Sequence, residues 1–420
     1  MRITMLAVGT LGDVRPLLAL GHGLRALGHH VTVATHDLYE AEVRSGGMDF
    51  ACITINPREA METADGLDWL QSQSNPVKAV RAMTGMLRPI LRQIYEDSWE
   101  ASKDADALVC SQLCVHGRDI AERLGVPCLF TPLFPLRRTR SFAAVHAPQL
   151  PLGAVYNLLT HLANQQISWQ PFRDITNQWR AEQLGLPPEP VWGARRLLDW
   201  PDVPVLSGFS EVVLPKPRDW PANHHVTGYW VSDLSASEPG QAIVDFVEDD
   251  PQPVYIGFGS MADPEPERLA GLVQKALRRT KQRAIVATGW AKLPVENSDQ
   301  MLVVESISHE WLFPRVAVAV HHGGSGTTGA ALRAGVPSVI VPYFFDQPLW
   351  AKRVACLGAG AQPLPRRKLT AERLAEALDD VVSDRSKLDR ARSLSRRIRS
   401  EDGVANAVRL INNHICADSS

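Results

Sequence analysis

Both halves of the chain open with the same local pattern, a short apolar run followed by a glycine-containing turn and a helical pattern. In the first half, residues 3–8 are apolar, GTLGD follows, and a helical pattern over 16–27 ends at Gly28 before HVTVAT. In the second half, PVYIGFGSM leads into a helical pattern over 265–279 and then RAIVATGW. Strand, turn, helix and strand at this spacing form a βαβ unit, which requires parallel strands.

We therefore predict an α/β protein of two doubly wound, Rossmann-like domains that face one another across a cleft. At 420 residues the chain exceeds one ordinary core, which supports two domains. We place the first domain at 1–215, the second domain at 216–395 and a C-terminal helix at 396–420, which can cross back to the first domain. Residues 142–200 show helical patterns of an insertion, and the prolines crowded within 201–221 predict an extended linker.

Composition and charge exclude several classes of protein. The net charge of -2 gives no reason to expect a nucleic-acid partner. The six cysteines form no CxxC pair or zinc spacing, and we expect them to be buried, reduced thiols. The first apolar run is too short for a signal peptide, and no apolar run approaches the ~20 residues that cross a bilayer. These features predict a soluble, cytoplasmic protein without stable membrane insertion, either a monomer or a homodimer.

The stretch RVAVAVHHGGSGTTGAALRAGVPSVIVPYFFDQP, residues 315–348, places a glycine-rich loop between a buried strand and a helix that ends at Gly335. Unpaired N–H groups and the positive end of the helix dipole make such a loop an anion site. Ser325, Thr327 and Thr328 add hydroxyl donors. The pattern favours a phosphate ligand, and a tight turn that only needs glycines is the alternative.

The same loop also fits a dinucleotide fingerprint. Gly324, Gly326 and Gly329 have the GxGxxG spacing, and Asp346 at the end of the next strand would bind a ribose. Two histidines precede the loop, however, and Gln347 follows the acid directly. A neighbouring acid and amide suit several adjacent hydroxyls better than one ribose. A nicotinamide or flavin oxidoreductase is nevertheless the alternative function.

The segments HEWLFPRVAVAVHHGGSGTT and VPYFFDQP, with GTLGDVRP near the N-terminus, resemble the signatures of the UDP-glycosyltransferase superfamily of the family 1 type. The resemblance is closest to its bacterial and fungal sterol, glycolipid and antibiotic branch. It covers both domains, but residues 56–217 resemble nothing informative. It implies the GT-B fold, with the acceptor bound by the first domain and a nucleotide sugar bound by the second.

The resemblance also implies roles for individual residues of the second domain. It assigns the diphosphate to His321 and the backbone of the loop, with a hydroxyl from Ser260, and leaves His322 as a support or a structural residue. It assigns the sugar hydroxyls to Asp346 and Gln347. The implied donor-binding set is Ser260, Trp290, Ile307, His309, His321, Gly324, Ser325, Gly326, Thr327, Asp346 and Gln347.

Asp13 is the implied catalytic base, with Gly12 and Thr10 on the acceptor side. The plant branch carries a histidine there, whereas the sterol and antibiotic branch carries an aspartate. A helix N-cap is the alternative role of Asp13, and a carboxylate tied to a helix is a poorer base. His22 is a second candidate base, although its position favours packing or solvation.

The expected function is an inverting glycosyltransferase that moves a hexose, glucose or a deoxyhexose such as rhamnose, from a UDP- or dTDP-sugar. The acceptor is expected to be a bulky hydrophobic alcohol such as a sterol, lipid or polyketide.

Asp104 and Asp106 have the DxD form of a metal motif but fit solvated helix-end charges, so we expect no metal and no cofactor. A non-catalytic nucleotide-sugar-binding protein is a further alternative. Basic stretches at 366–374 and 385–399 fit a solvated helix face, or contact with an anionic membrane.

Overall fold

The structure is a computed structural model that describes residues 1–71, 76–145, 147–193, 202–231 and 239–417. The chain forms two compact units. The first comprises Met1–Glu211, Pro215–Ser232 and Asp402–Ser420, and the second comprises Val212–Leu214 and Asp233–Glu401. Residues 146 and 194–200 of the expected insertion, and Pro201 of the expected linker, lie outside the described residues.

The first unit contains a parallel sheet of seven strands in the order β3-β2-β1-β4-β5-β6-β7. Its strands are β1 Arg2–Leu6, β2 His30–Thr35, β3 Asp49–Cys52, β4 Ala107–Ser111, β5 Cys128–Thr131, β6 Val205–Ser207 and β7 His224–Val226. Strand β4 is buried along its whole length, as expected for a sheet that is covered on both faces. The extended linker predicted for residues 201–221 is wrong at β6. Its three residues, although they lie between prolines, pair in parallel with β5 and β7.

Helices of the first unit lie between these strands and in the insertion. They are α1 Leu11–Ala26, α2 Glu40–Ser45, α3 Pro57–Glu62, α4 Ala64–Gln71, α5 Pro76–Ser102, α6 Gly117–Leu124, α7 Gly153–Trp169 and α8 Arg173–Trp179. Helix α1 begins five residues earlier than the sequence pattern predicted, at Leu11 instead of residue 16. Pro16 therefore lies inside the helix, near its start, where the loss of one N–H costs a single intrahelical bond.

The second unit contains a parallel sheet of five strands in the order β10-β9-β8-β11-β12. Its strands are β8 Val254–Gly257, β9 Ala284–Ala287, β10 Met301–Val304, β11 Ala319–His321 and β12 Ser338–Ile340. The helices of this unit are α9 Gln241–Glu248, α10 Pro266–Thr280, α11 His309–Leu312, α12 Ser325–Ala334, α13 Gln347–Cys356, α14 Ala371–Ser383 and α15 Arg385–Arg399. The α/β class and the parallel, doubly wound sheets predicted from the sequence are confirmed.

The last helix, α16 Gly403–Ala417, belongs to the first unit although it follows the second unit in the chain. It lies against α1, where Val404 and Val408 approach Gly23. The side chain of Asn412 is also within 2.9 Å of His29 Nε2. The chain thus returns to its first unit through this helix.

Strand order reverses beside β1 in the first sheet and beside β8 in the second. In doubly wound sheets, ligands bind outside the carboxyl ends of the strands at such a switch point. The loops that follow β1 and β4 define this place in the first unit, and those that follow β8 and β11 define it in the second.

The structure describes the burial of the cysteines, the helices long enough to consider as membrane spans, and the grouping of metal-ligating side chains. All six cysteines are free thiols, but only Cys110, Cys114 and Cys128 are buried, so the expectation of buried thiols is wrong for the other three. No helix among the described residues is both long enough and apolar enough to span a bilayer. Within the same residues, histidine, cysteine and acidic side chains form no group of three or more suited to a metal ion.

Candidate functional site

The glycine-rich loop forms the turn from β11 into α12. Gly323 has a φ of 92°, a left-handed conformation that favours glycine, and Gly324 is the N-cap of the helix. The first helical hydrogen bond runs from the Thr328 N–H to the Gly324 carbonyl at 2.9 Å. The N–H groups of Gly326 and Thr327 therefore have no acceptor within the helix itself, and they lie at the positive end of its dipole.

Gly326 leaves the space above this turn open. It is exposed, and a Cβ built on it would meet no atom within 4 Å. Gly324 differs, because a Cβ there would lie 2.6 Å from His322 Nε2. The first turn of α12 can thus be approached by an anion at Gly326, while Gly324 is needed for the packing of a histidine ring.

His321 is fully buried at the end of β11. Its Nδ1 accepts a hydrogen bond from the Gly323 N–H at 3.1 Å, so in the neutral ring the proton is on Nε2. Burial, followed by the proximity of His322 and His309, lowers the pKa of His321 well below its usual value. Its Nε2 has no hydrogen-bond partner among the described residues, so it is a neutral, unsatisfied donor.

His322 lies between the two loops at the switch point of the second sheet. Its ring lies against Gly324, and a Cβ built on Gly259 would be 3.2 Å from its Cε1. Burial, and to a smaller extent His309, lowers the pKa of His322 to about 4, so the ring is neutral at neutral pH. Its Nδ1 also lacks a partner within the described part of the chain. The structure therefore brings His322, as well as His321, to the glycine loop.

The residues expected to contact the nucleoside follow neighbouring strands. The Trp290 N–H donates to the Gly259 carbonyl at 3.0 Å, which joins the loop after β9 to the Ser260 turn after β8. The His309 ring stacks on Phe313 with centroids 4.4 Å apart, and Ile307 packs against the same apolar cluster. These three expected contacts and Ser260 thus lie at the carboxyl-end side of one sheet.

Asp346 and Gln347 begin α13 after β12, and both are buried. Asp346 Oδ2 accepts the Trp350 indole N–H at 2.6 Å. The Gln347 amide oxygen accepts the N–H groups of Tyr343 at 2.8 Å and Phe344 at 3.2 Å. Gln347 therefore stabilises the turn that presents Asp346, and its contact with a sugar hydroxyl remains a prediction.

Asp13 lies in the first turn of α1, at the switch point of the first sheet. Thr10 is the N-cap, and Asp13, three residues on, accepts from the Thr10 N–H at 2.8 Å and from its hydroxyl at 3.0 Å. The N-cap alternative is thus wrong in detail, because Asp13 supplies the reciprocal bond of a capping box. Gly9 precedes this turn with a φ of 133°, and a Cβ there would lie 2.5 Å from Asp13 Oδ2.

Gln112 is a second partner of Asp13 that sequence reasoning missed. It follows β4, and its Nε2 donates to Asp13 Oδ1 at 2.6 Å across 99 positions of sequence. Its Oε1 accepts the Leu133 N–H at 3.4 Å, which fixes the orientation of the amide. A polar residue at the end of a strand beside β1 was the only signal in the sequence.

The protonation of Asp13 reflects opposing effects. Burial raises its pKa above the usual aspartate value, and the hydrogen bonds from Thr10 and Gln112 only partly offset that rise. A raised pKa makes the carboxylate a stronger proton acceptor. His22 lies two turns or more along α1, packed beside Gly46, where burial lowers its pKa. Asp13 thus lies at the switch point of the first sheet, whereas His22 packs beside Gly46 further along α1, and the role of Asp13 as a base remains a prediction.

Comparisons with known proteins agree with this architecture. Residues 3–143 match the family model described as the glycosyltransferase family 28 N-terminal domain. Residues 288–409 match the C-terminal domain of erythromycin biosynthesis protein CIII-like proteins. Solved structures with the same fold include CalG4, the calicheamicin glycosyltransferase, with a TM-score of 0.69 and 19% identity over 100% of this chain and 99% of that one. The glycosyltransferase VinC, solved with dTDP, has a TM-score of 0.65 and 17% identity over 99% of both chains.

Curated relatives include fungal sterol 3-beta-glucosyltransferases. The protein of Debaryomyces hansenii is 35% identical over an alignment of 427 positions, which covers 97% of this chain and 26% of that protein. The protein of Eremothecium gossypii is 36% identical over an alignment of 422 positions, which covers 97% of this chain and 33% of that protein. The chain thus spans a third or less of the length of these relatives.

Two Rossmann-like sheets and matches to glycosyltransferase families at both ends define a class of protein. The chain belongs to the UDP-glycosyltransferase superfamily, whose members have the GT-B fold. Within it, the similarity is to the sterol and antibiotic glycosyltransferase branch, as the sequence resemblance predicted. None of these matches supports the oxidoreductase alternative.

Proposed function

We propose that the protein is an inverting glycosyltransferase that moves a hexose from a UDP- or dTDP-sugar to a hydroxyl of a bulky hydrophobic alcohol. The observation that carries the proposal is the open turn at Gly326, at the start of α12 and beside two neutral histidines with unsatisfied nitrogens. These groups suit a diphosphate, which needs many donors and no proton transfer. The superfamily membership supports the same chemistry.

The donor end of the reaction needs stabilisation of the departing diphosphate. The N–H groups of Gly326 and Thr327 and the Nε2–H of a neutral histidine would donate to its oxygens, and Ser260 would add a hydroxyl. Preorganised donors of this kind stabilise developing charge without a metal ion. A metal-free reaction is thus part of the proposal.

The acceptor end needs a base. Asp13 would take the hydroxyl proton as the acceptor oxygen attacks the anomeric carbon on the side opposite the diphosphate. That attack forms the new glycosidic bond, breaks the bond to the diphosphate and inverts the anomeric centre. An α-linked donor would then give a β-linked product. A sterol or related apolar alcohol is the proposed acceptor class, supported by the names of the fungal relatives.

Product analysis tests the proposed function directly. The protein is incubated with UDP-glucose, dTDP-glucose or dTDP-rhamnose and a panel of sterols, hydroxy-lipids and polyketides. We expect an acceptor with one added hexose by mass, released nucleoside diphosphate, and a β-linkage by NMR from the glucose donors, in the presence of a chelator. Binding of NAD with stabilisation against heat, and no transfer from any sugar donor, would contradict the proposal and favour the oxidoreductase.

Gln112 gives a second test through the pH dependence of turnover. Asp13 must be ionised to accept a proton, so kcat/KM should rise with pH through its pKa. Gln112→Met removes a donor that favours the carboxylate, so the pKa should rise and the acid limb should move to higher pH by about one to two units. The control is Gln93→Met, which removes a similar bond from Gln93 to Asp97, 2.8 Å long and on the surface. An unmoved acid limb in the Gln112 variant would show that Asp13 is not the titrating base.

A further inference from the structure

A buried ion pair joins two separate loops of the second unit. The Asp263 side chain is 0% exposed and that of Arg366 is 10% exposed. Arg366 donates twice, from Nε to Oδ2 at 2.7 Å and from Nη2 to Oδ1 at 2.8 Å. The Tyr343 hydroxyl and the Glu265 N–H also donate to Asp263, at 2.8 and 2.9 Å. We call Asp263, Tyr343 and Arg366 the clamp.

The sequence predicted that the basic stretch at 366–374 forms a solvated helix face or contacts an anionic membrane. The clamp shows that this prediction is wrong for Arg366. Arg366 is buried and paired, whereas Arg367 and Lys368 beside it are exposed. A buried guanidinium is costly unless it is paired and hydrogen bonded, and the two parallel bonds to Asp263 meet that requirement. Arg366 is therefore part of the interior of this unit and cannot contact a membrane surface.

The clamp connects the two loops that carry proposed donor-binding residues. Asp263 is three residues after Ser260 in the loop after β8, and Tyr343 is three residues before Asp346 in the loop after β12. The Arg366 N–H also donates to the Pro342 carbonyl at 3.1 Å, so this arginine holds the second loop through its backbone as well. The position of Asp346 relative to Ser260 thus depends on these bonds.

The turn before Asp346 contains a conformation that needs such support. Phe345 has a φ of 62°, a left-handed conformation that is unfavourable for a bulky side chain and persists only where the surroundings impose it. The Gln347 amide holds the turn on one side through the N–H groups of Tyr343 and Phe344. On the other side, the Tyr343 hydroxyl anchors it to Asp263.

We propose that Asp263, Tyr343 and Arg366 are positioning residues that set the place of Asp346 and thereby the recognition of the sugar half of the donor. The proposal rests on the proposed function of this unit. A buried ion pair adds little net stability compared with apolar packing, and in some proteins such a pair fixes a unique geometry instead. The clamp should therefore affect nucleotide sugars more than free nucleotides.

Tyr343→Phe is the mildest test, because it removes one hydroxyl and leaves the ring and the ion pair in place. Affinities for UDP, UDP-glucose, dTDP and dTDP-glucose are measured by calorimetry on the full chain. We expect weaker binding of the preferred nucleotide sugar, by about tenfold, and unchanged binding of the corresponding nucleotide. Equal weakening of both, or of neither, would overturn the proposal and leave the proposed function intact.

Two variants of Arg366 should reduce the affinity for the nucleotide sugar to different extents. Arg366→Lys keeps the charge but loses the paired geometry, and Arg366→Met loses both, so the loss of sugar affinity should be larger for Met than for Lys. Arg367→Met, at the exposed neighbour, is the matched control and should change neither affinity. If Arg366→Met does not fold, Tyr343→Phe and Arg366→Lys still decide the matter. Failure of the parent protein to bind any nucleotide sugar would instead contradict the proposed function itself.

Discussion

Replacement of Asp13 by asparagine should reduce kcat by about 10²–10⁴-fold while nucleotide affinity stays unchanged. The amide keeps an oxygen that can accept from the Thr10 N–H, so the capping bond of α1 can survive. It cannot take a proton from an alcohol. Steady-state turnover with the best acceptor, calorimetry with UDP and dTDP, and thermal melting measure the three properties separately.

The structure identifies a side effect of this variant and a way to correct it. Asparagine at 13 would point its NH₂ group at the Gln112 NH₂ group, which now donates to Asp13 Oδ1 at 2.6 Å. Adding Gln112→Glu supplies two acceptor oxygens, one for Asn Nδ2 and one for the Leu133 N–H. The double variant should recover stability but not turnover.

One result would argue against Asp13 as the base. A single variant that melts earlier but turns over normally when folded would show that Asp13 only caps α1. The base would then have to be sought elsewhere in the first unit.

Much of the fold could be predicted because parallel strands have a strong local signature. Buried strands such as β4 and β8 are continuous apolar runs, and each is followed by a glycine or polar turn and a helix. The short strands β6 and β7 have no such signature, since each has only three residues. They become strands because β6 pairs with β5 and β7 pairs with β6, and those pairings depend on contacts distant in sequence.

The candidate site divides in the same way. Loops after strand ends are visible in the sequence, so the pattern points to Gly326 and Asp346, and the family resemblance adds Asp13. It does not reveal their partners, because the bond from Gln112 to Asp13 spans 99 positions and that from Arg366 to Asp263 spans 103. Such pairs meet only once the strand order is known. The sequence of residues 366–374 therefore did not reveal that Arg366 is buried, because its partner Asp263 is distant in the chain.

Replacement of Gly326 by valine should weaken nucleoside diphosphate binding by about 100-fold or more, since two charge-assisted hydrogen bonds would be blocked. The fold should survive, because a Cβ at Gly326 meets no atom within 4 Å. Gly271→Val in α10 is the matched control, as that glycine also has open space around its Cβ within a helix of the same unit. Calorimetry and melting curves of both variants provide the measurement.

The pattern of losses across ligands is as informative as their size. The diphosphate is common to UDP, dTDP and their sugars, so Gly326→Val should weaken all of them by similar factors. Tyr343→Phe should instead weaken the binding of the nucleotide sugar and leave the binding of the free nucleotide unchanged, because the clamp acts on the turn at Asp346. If Gly326→Val binds UDP and dTDP as tightly as the parent does, the loop is only a turn between β11 and α12. The diphosphate would then have to bind without the N–H groups of α12, and the proposed function would lose the observation that carries it.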